Sequence, residues 1–311
     1  MNNRICGSYI PANGINGESL KKIDFTKITH AFLAFSTLKA DESGMFVPTV
    51  SNTVTQAIGL VQKAIAESKA DTKMLISIGG AGASGFCEAS RTESGRAAFA
   101  EKCRQFIADY HLDGIDMDWE FPGLAHEGVS ACENCVTDFI LLLEAIRNAI
   151  GDKLLTAAVG SDHWNRVDNK ALNGLLDFVN VMTYDMNNSS HSAFSLTEAA
   201  MNGWLTHGID REKLVLGVPF YARSTNQKYE WMGYDRLMEL VENKKAELLS
   251  TDDQDYIVIG KDKLSVDTPL SIKKKSAFIR ENGFAGIFNW QELSDYNGEL
   301  RNAMYEYFYK N

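Results

Sequence analysis

The 311-residue sequence has no apolar run approaching the ~18 residues that a membrane-crossing helix needs. Its opening stretch, "MNNRICGSYIPANG", is too short in apolar residues for the hydrophobic segment of an export signal. Positive charge is in deficit: 31 Lys and Arg stand against 41 Asp and Glu, a net charge of −10. That balance disfavours loose binding to nucleic acid or an anionic membrane and is silent on neutral substrates. A Gly-rich phosphate turn is also missing, since "YIPANGING" is not GxGxxG; an open doubly wound sheet binding a dinucleotide therefore lacks its signature. Cysteine is sparse and odd in number, with five residues. Cys132 and Cys135 form one CxxC, but a zinc site wants a second pair or histidines, and only His126 is near in sequence. Neither a metal nor another cofactor is expected. Cys6, Cys87 and Cys103 have apolar or mixed neighbours and read as reduced core thiols. These features predict a cytoplasmic protein, or an exported one whose signal is not part of this sequence.

What is present is an ordinary globular balance, 45% hydrophobic and 23% charged, with enough apolar residues for a large core. Eight apolar segments read as strands: 4–10, 29–38, 73–80, 114–121, 154–160, 178–186, 213–223 and 283–291. Helical spacing of apolar residues fills 53–68, 95–109, 136–150, 195–207 and 270–282. Strands alternating with helices predict a parallel sheet, and near-continuous apolar strands predict burial on both faces. Eight is the number that closes a (β/α)8 barrel. The expected fold is a single (β/α)8 TIM barrel over 1–311. A short region at 224–269, with helix-like "YDRLMELVENKKAELL" (234–249), is inserted between the seventh strand and its helix.

The fourth strand contains the most unusual stretch, "DGIDMDWEFP" (113–122). Ile115, Met117, Trp119 and Phe121 alternate with Asp116, Asp118 and Glu120, so one face is apolar and the other is a row of acids. Like charges at this spacing are unfavourable unless some hold protons or accept hydrogen bonds. Asp113 is out of register and reads as structural. A solvated edge fits poorly, because a barrel strand has no solvent face. A calcium loop needs irregular backbone rather than an alternating strand. Acid/base chemistry on a neutral substrate remains, with neighbouring carboxylates raising the pKa of a proton donor. In a barrel such chemistry sits at the carboxyl ends of strands, where "SIGG", "MTYD", "FYAR" and "FNWQ" also fall.

"DGIDMDWE" resembles DxxDxDxE, the fourth-strand signature of the family 18 glycoside hydrolases, the chitinase family. "SIGG" (77–80) resembles the family's SxGG, "MTYD" (182–185) its Met-x-Tyr-Asp, and "FYAR" (220–223) its Tyr-x-Arg. Trp290 matches the eighth-strand tryptophan and Phe35 the second-strand aromatic. The matches run in order through most of the chain.

The resemblance implies hydrolysis of β-1,4 linkages between N-acetylglucosamine units by a retaining, substrate-assisted route, the sugar's acetamido carbonyl attacking its own anomeric carbon. Glu120 would donate and later accept the proton. Asp118 would orient the acetamido group, Asp116 would share a proton with Asp118, and Tyr184 would bond the acetamido oxygen. Trp290 would floor the sugar site, Met182 and Phe35 would line it, and Asp185, Tyr221 and Arg223 would contact the sugar. Tyr9 is aimed at the cleft on a looser alignment. Among plainer readings, Trp290 is core and Arg223 a structural ion-pair partner, while Ser77, Gly79 and Gly80 serve packing and turning.

The sequence departs from the family at Ala81, where many members carry Trp, and at Ala222, where Gly is frequent. The expected partners are N-acetylglucosamine oligosaccharides or chitin, met by a monomer. Two alternatives stay open: an endo-β-N-acetylglucosaminidase on N-glycan cores, and a non-catalytic chitin-binding, lectin-like protein. Retention of Glu120 speaks against the second.

Overall fold

Strands that are apolar on both faces need cover on both, and a parallel sheet closed on itself under a ring of helices supplies it. The computed structural model, which describes residues 4–187, 189–226 and 231–310, has this arrangement. In chain order the strands are β1 (Ile5–Pro11), β2 (His30–Ala40), β3 (Phe46–Thr49), β4 (Lys73–Gly79), β5 (Gly114–Asp118), β6 (Leu154–Gly160), β7 (Phe178–Met182), β8 (Leu214–Pro219), β9 (Tyr221–Ser224), β10 (Met232–Gly233), β11 (Glu247–Leu249), β12 (Asp255–Ile259), β13 (Asp262–Val266) and β14 (Gly286–Trp290). The strands β1, β2, β4 to β8 and β14 pair in parallel. The first of them bonds both β14 and β2, which closes the barrel.

The helices are α1 (Gly17–Leu20), α2 (Asn52–Ser68), α3 (Phe86–Ser90), α4 (Glu93–Tyr110), α5 (Cys135–Ile150), α6 (Asn169–Leu175), α7 (Phe194–Thr206), α8 (Tyr234–Glu242), α9 (Pro269–Glu281) and α10 (Glu299–Met304). The five helices expected from periodicity are α2, α4, α5, α7 and α9, with ends within two residues. Local caps explain the boundaries. Ser51 accepts from the Val54 N–H and Thr92 from the Gly95 N–H, while Thr268 and Ser271 form a reciprocal box ahead of Pro269.

Two cores result. Ile76, Ile115, Met117, Val179 and Leu216 face outward and pack beneath the helices. Phe32, Leu75, Phe178, Val215 and Phe288 fill the barrel near the amino ends of its strands. Polar and aromatic groups occupy the carboxyl ends above them. Trp119 keeps to the outer side, stacked on Phe86 with ring centres 5.0 Å apart.

Between β8 and α9, a small antiparallel sheet runs in the order β10-β9-β13-β12-β11. The helix expected over 234–249 ends early, at Glu242, and Glu247–Leu249 is an edge strand. The cause is a left-handed residue, Lys244 (φ 56°). The Lys245 N–H bonds the Leu240 carbonyl at 2.8 Å and the Lys244 N–H bonds that of Val241 at 2.9 Å, which reverses the chain and seals the helix end.

Candidate active site

Strand register builds the floor of the site. Asp116 on β5 has Ser77 of β4 and Thr156 of β6 as its neighbours in the ladder. Both donate to its carboxylate, at 2.8 Å from Ser77 and 2.5 Å from Thr156. Tyr9 adds its hydroxyl at 2.9 Å and in turn accepts from the Asn180 amide at 3.0 Å. Asp116 is fully buried, and burial raises its pKa despite these opposing hydrogen bonds.

Asp118 stands one pleat nearer the mouth and is 4% exposed. Burial, then the charges of Glu120 and Asp116, push its carboxyl well above the usual range. Its Oδ1 is buried without a hydrogen-bond partner. Glu120, at the opening, has 12% of its side chain exposed. Burial first, then the charge of Asp185, pushes it up to about 7, against a hydrogen bond with Asp118 that pulls it down. The acids thus share a crowded channel in which ionising one disfavours ionising the next.

The expectation that β5 runs through Phe121 is corrected. The strand ends at Asp118, and Phe121 lines the cleft instead of joining Trp119 outside. Its ring is packed by His163 at 4.3 Å and His126 at 5.1 Å between centres.

The "SIGG" turn is explained by close approach. A Cβ on Gly79 (φ 122°) would lie 2.0 Å from the Asp118 carbonyl oxygen, and one on Gly80 (φ 91°) would lie 2.7 Å from the Phe35 ring. The Gly80 N–H bonds the Asp118 carbonyl at 2.9 Å. Phe35 in turn stacks on Trp290 at 5.4 Å. Glycine here lets two strands and one aromatic converge on the acids.

Opposite them lies a second cluster. Arg223 grips both Asp185 oxygens, Nε to Oδ1 at 2.7 Å and Nη2 to Oδ2 at 2.8 Å. The Tyr221 hydroxyl donates to Oδ2 at 2.8 Å, and the buried His191 reaches Oδ1 at 3.2 Å. Burial alone would raise the Asp185 pKa; the hydrogen bonds from Arg223 and His191 reverse this and hold it well below the usual range. Arg223 therefore acts as the ion-pair partner that the plainer reading allowed. Tyr184 keeps its proton, because burial and the charges of Asp118 and Glu120 push its pKa well up.

The sequence-predicted residues Glu120, Asp118, Tyr184, Asp185, Met182, Tyr221, Arg223, Phe35, Tyr9 and Trp290 all line one cleft of about 620 Å³. Asp116 lies beneath it. Residues not anticipated also line it: Phe121, Leu124, His126, His163 and Trp231. His126 Nε2 is 3.8 Å from Glu120 Oε2. Leu124, His126 and Trp231 sit on loops and His163 in a single short helical turn, where no period marks them, and for Phe121 the strand alternation pointed the other way.

One cysteine expectation fails. Cys87 is not a reduced thiol but is bonded to Cys132, with 6.0 Å between Cα atoms. A separation of 45 residues hides the pair in the sequence; the fold brings α3 against the loop before α5. Cys6 and Cys103 are free and buried, and burial pushes the Cys6 thiol up to about 12 and that of Cys103 upward as well. Cys135 is a buried free thiol whose Sγ donates to the Cys132 carbonyl at 2.9 Å. Among the described residues, no three His, Cys, Asp or Glu side chains are grouped to hold a metal, and no helix is long and apolar enough to cross a membrane.

Comparison with known proteins agrees with this geometry. The profile of the Glycosyl hydrolases family 18 matches residues 7–295. Chitinase 1 of Aphanocladium album is 24% identical over 93% of this chain and 81% of its own length. A solved family 18 N-acetylglucosaminidase from Paenibacillus barengoltzii superposes with a TM-score of 0.86 at 25% identity, covering 98% of this chain and all (100%) of that one. A family 18 chitinase from Cycas revoluta, solved in complex with (GlcNAc)3, has a TM-score of 0.86 at 21% identity, over 97% of this chain and 99% of its own. With a matching profile over nearly the whole barrel and the acid row at its mouth, the chain belongs to glycosyl hydrolase family 18 and is a glycosidase.

Proposed function

We propose that this glycosidase cleaves β-1,4 linkages between N-acetylglucosamine units in chitin or chitooligosaccharides, with retention and through an oxazolinium intermediate. The observation that carries the reading is Asp118 Oδ1, a buried acceptor beside Glu120 for which the protein supplies no donor. An acetamido N–H of the substrate fills that vacancy. A buried acceptor without a partner costs about 1–3 kcal/mol, so a ligand that satisfies it is favoured over one that does not.

Glu120, with its pKa raised to about 7, carries a proton to the leaving glycosidic oxygen. As that bond breaks, the acetamido carbonyl oxygen closes on the anomeric carbon. Asp118 accepts the acetamido N–H and balances the positive ring that forms, and Tyr184 donates to the acetamido oxygen. The Asp118 proton is shared with Asp116, which four donors from the barrel hold in place. Glu120, now ionised, takes a proton from water as it attacks the anomeric carbon and opens the intermediate. Trp290 lies under the sugar with Phe35 and Met182 at its sides, and the Asp185–Arg223 pair presents Tyr221 to the same ring.

The barrel closes within one chain, which supports action as a monomer; gel filtration with light scattering tests it. The Cys87–Cys132 bond supports maturation in an oxidising compartment rather than the cytoplasm. Thiol labelling of protein isolated from its native cells checks that: a free Cys87 would return the protein to a reducing compartment.

The function test uses a chromogenic N,N′-diacetylchitobioside alongside a glycoprotein bearing N-glycans. Release from the first alone is expected. Cleavage of the glycan core instead would favour the endo-β-N-acetylglucosaminidase, and binding without hydrolysis the lectin-like protein. Glu120→Gln is expected to lower kcat by at least about 100-fold while oligosaccharide binding persists. Cellulose oligomers, which lack the acetamido group, are expected to remain intact.

A further inference from the structure

His191 does not line the cleft, yet its ring is wholly buried against a residue that does, Asp185. Nδ1 lies 3.2 Å from Asp185 Oδ1 and 3.4 Å from the Asp185 backbone nitrogen. Nε2 is buried and, among the described residues, has no partner. Nδ1 serves one neighbour at a time: it donates to the carboxylate or accepts from the N–H. The bond to an ionised carboxylate is the stronger, so the proton sits on Nδ1.

The backbone of Asp185 is bent as well. Its φ of 55° lies in the left-handed region, which few residues with a side chain adopt. His191 closes that turn too, its carbonyl accepting from the Met186 N–H at 3.1 Å. His191 is held in turn by the inserted sheet. Its N–H donates to Ser265 Oγ on β13 at 3.3 Å, and that hydroxyl donates to the Arg223 carbonyl on β9, also at 3.3 Å. The imidazole packs against Tyr221, 5.2 Å between ring centres.

The ionisable groups facing this pair are Tyr221 and Arg223 of β9, which bond the Asp185 carboxylate, Tyr184 beside it in the chain, and Glu120 across the cleft. Glu120 is itself faced by Asp118, Glu127 and His126. The Lys275–Asp267 pair reaches Ser192 instead of the imidazole.

We infer that His191 is a positioning residue for the reaction: pinned by the inserted sheet, it fixes both the carboxylate and the backbone turn of Asp185, and so sets where that negative charge stands relative to Glu120. This rests on the hydrolase reading and adds the link by which the insertion reaches the proton donor. After burial, the Asp185 charge is the largest influence keeping Glu120 protonated. A carboxylate free to swing away weakens that influence.

The test compares pH profiles of kcat/KM for wild type, H191L, H191Q and D185N on the chromogenic disaccharide. Leu fills the space without the bond, and Gln keeps a donor. With the Asp185 anion displaced, Glu120 loses its proton more readily. The falling limb near 7 is therefore expected to move to lower pH in H191L, by about half a unit, and H191Q to recover most of this. The limb of H191L/D185N is expected to coincide with that of D185N, because the imidazole acts only through the carboxylate. A lower melting temperature with the limb unmoved, or shifts that add in the double variant, would overturn the inference and leave His191 as a core residue.

Should H191L not fold, the ring 15N shifts of His191 in the otherwise unaltered protein decide. A proton on Nδ1 whose signal moves in D185N upholds the inference. A proton on Nε2 alone, or a signal indifferent to D185N, sinks it. If wild type hydrolyses no substrate, the hydrolase reading falls, and an Nδ1 proton that responds to D185N still upholds the hold on Asp185.

Discussion

At the scale of the residue, the site is a row of largely buried carboxylates in which burial and neighbouring charge oppose ionisation. Glu120 sits near 7 because burial and neighbouring acids oppose its charge, while Asp185 is held ionised by Arg223 and His191. The sign of the pH dependence follows. A proton donor works only while protonated, so kcat/KM is expected to fall as pH rises through about 7, where Glu120 loses its proton. A pH–rate profile on the chromogenic disaccharide checks this, and a basic limb below pH 5 would contradict the environment described for Glu120. The apparent value belongs to the Asp116–Asp118–Glu120 row as a whole. Asp113, the remaining acid of the stretch, accepts the Met74 N–H at 2.8 Å and serves the strand pairing below the site.

At the scale of the element, strand ends do the positioning and loops finish the walls. The loop from Phe121 to the start of α5 carries His126 and Leu124 into the cleft, and the Cys87–Cys132 bond fastens it to α3. Cross-linking over 45 residues limits the freedom of the unfolded chain and holds this wall against the barrel. Replacing both cysteines by serine is expected to cost about 2–4 kcal/mol, read as a lower midpoint in denaturant. An unchanged midpoint would mean that packing alone holds the loop.

At the scale of the whole molecule, a buried ion pair fixes the junction at which the chain leaves the inserted sheet and enters α9. Lys275 on α9 meets Asp267 at 2.6 Å, and each side chain is 1% exposed. The same ammonium reaches the Ser192 carbonyl at 2.7 Å, just ahead of α7. Substituting Lys275 with Met leaves a buried carboxylate uncompensated, and the expected loss is about 3–5 kcal/mol of stability. Removing both charges in K275M/D267L is expected to return part of it. Thermal unfolding of the two variants measures this, and equal losses would show that the pair itself, rather than the orphaned charge, is what matters.

The sequence by itself determined the repeating strand–helix pattern, the barrel class and the acid row, because each is written in local periodicity. Apolar alternation chose which side of β5 faces in, and that choice put Asp116 and Asp118 inside before any contact was known. The residues at the other strand ends were legible for the same reason, since a parallel barrel gathers all such ends on one face. Only the tertiary structure decided the rest. Cys87 with Cys132, His126 with Glu120, and Trp231 on Tyr221 join residues far apart in the chain or set on loops, and no period marks them. The early end of α8 turned on a left-handed residue that composition does not announce. The raised pKa values along the row belong there too, because they depend on desolvation and on charges from other elements, which come together only once the barrel has closed.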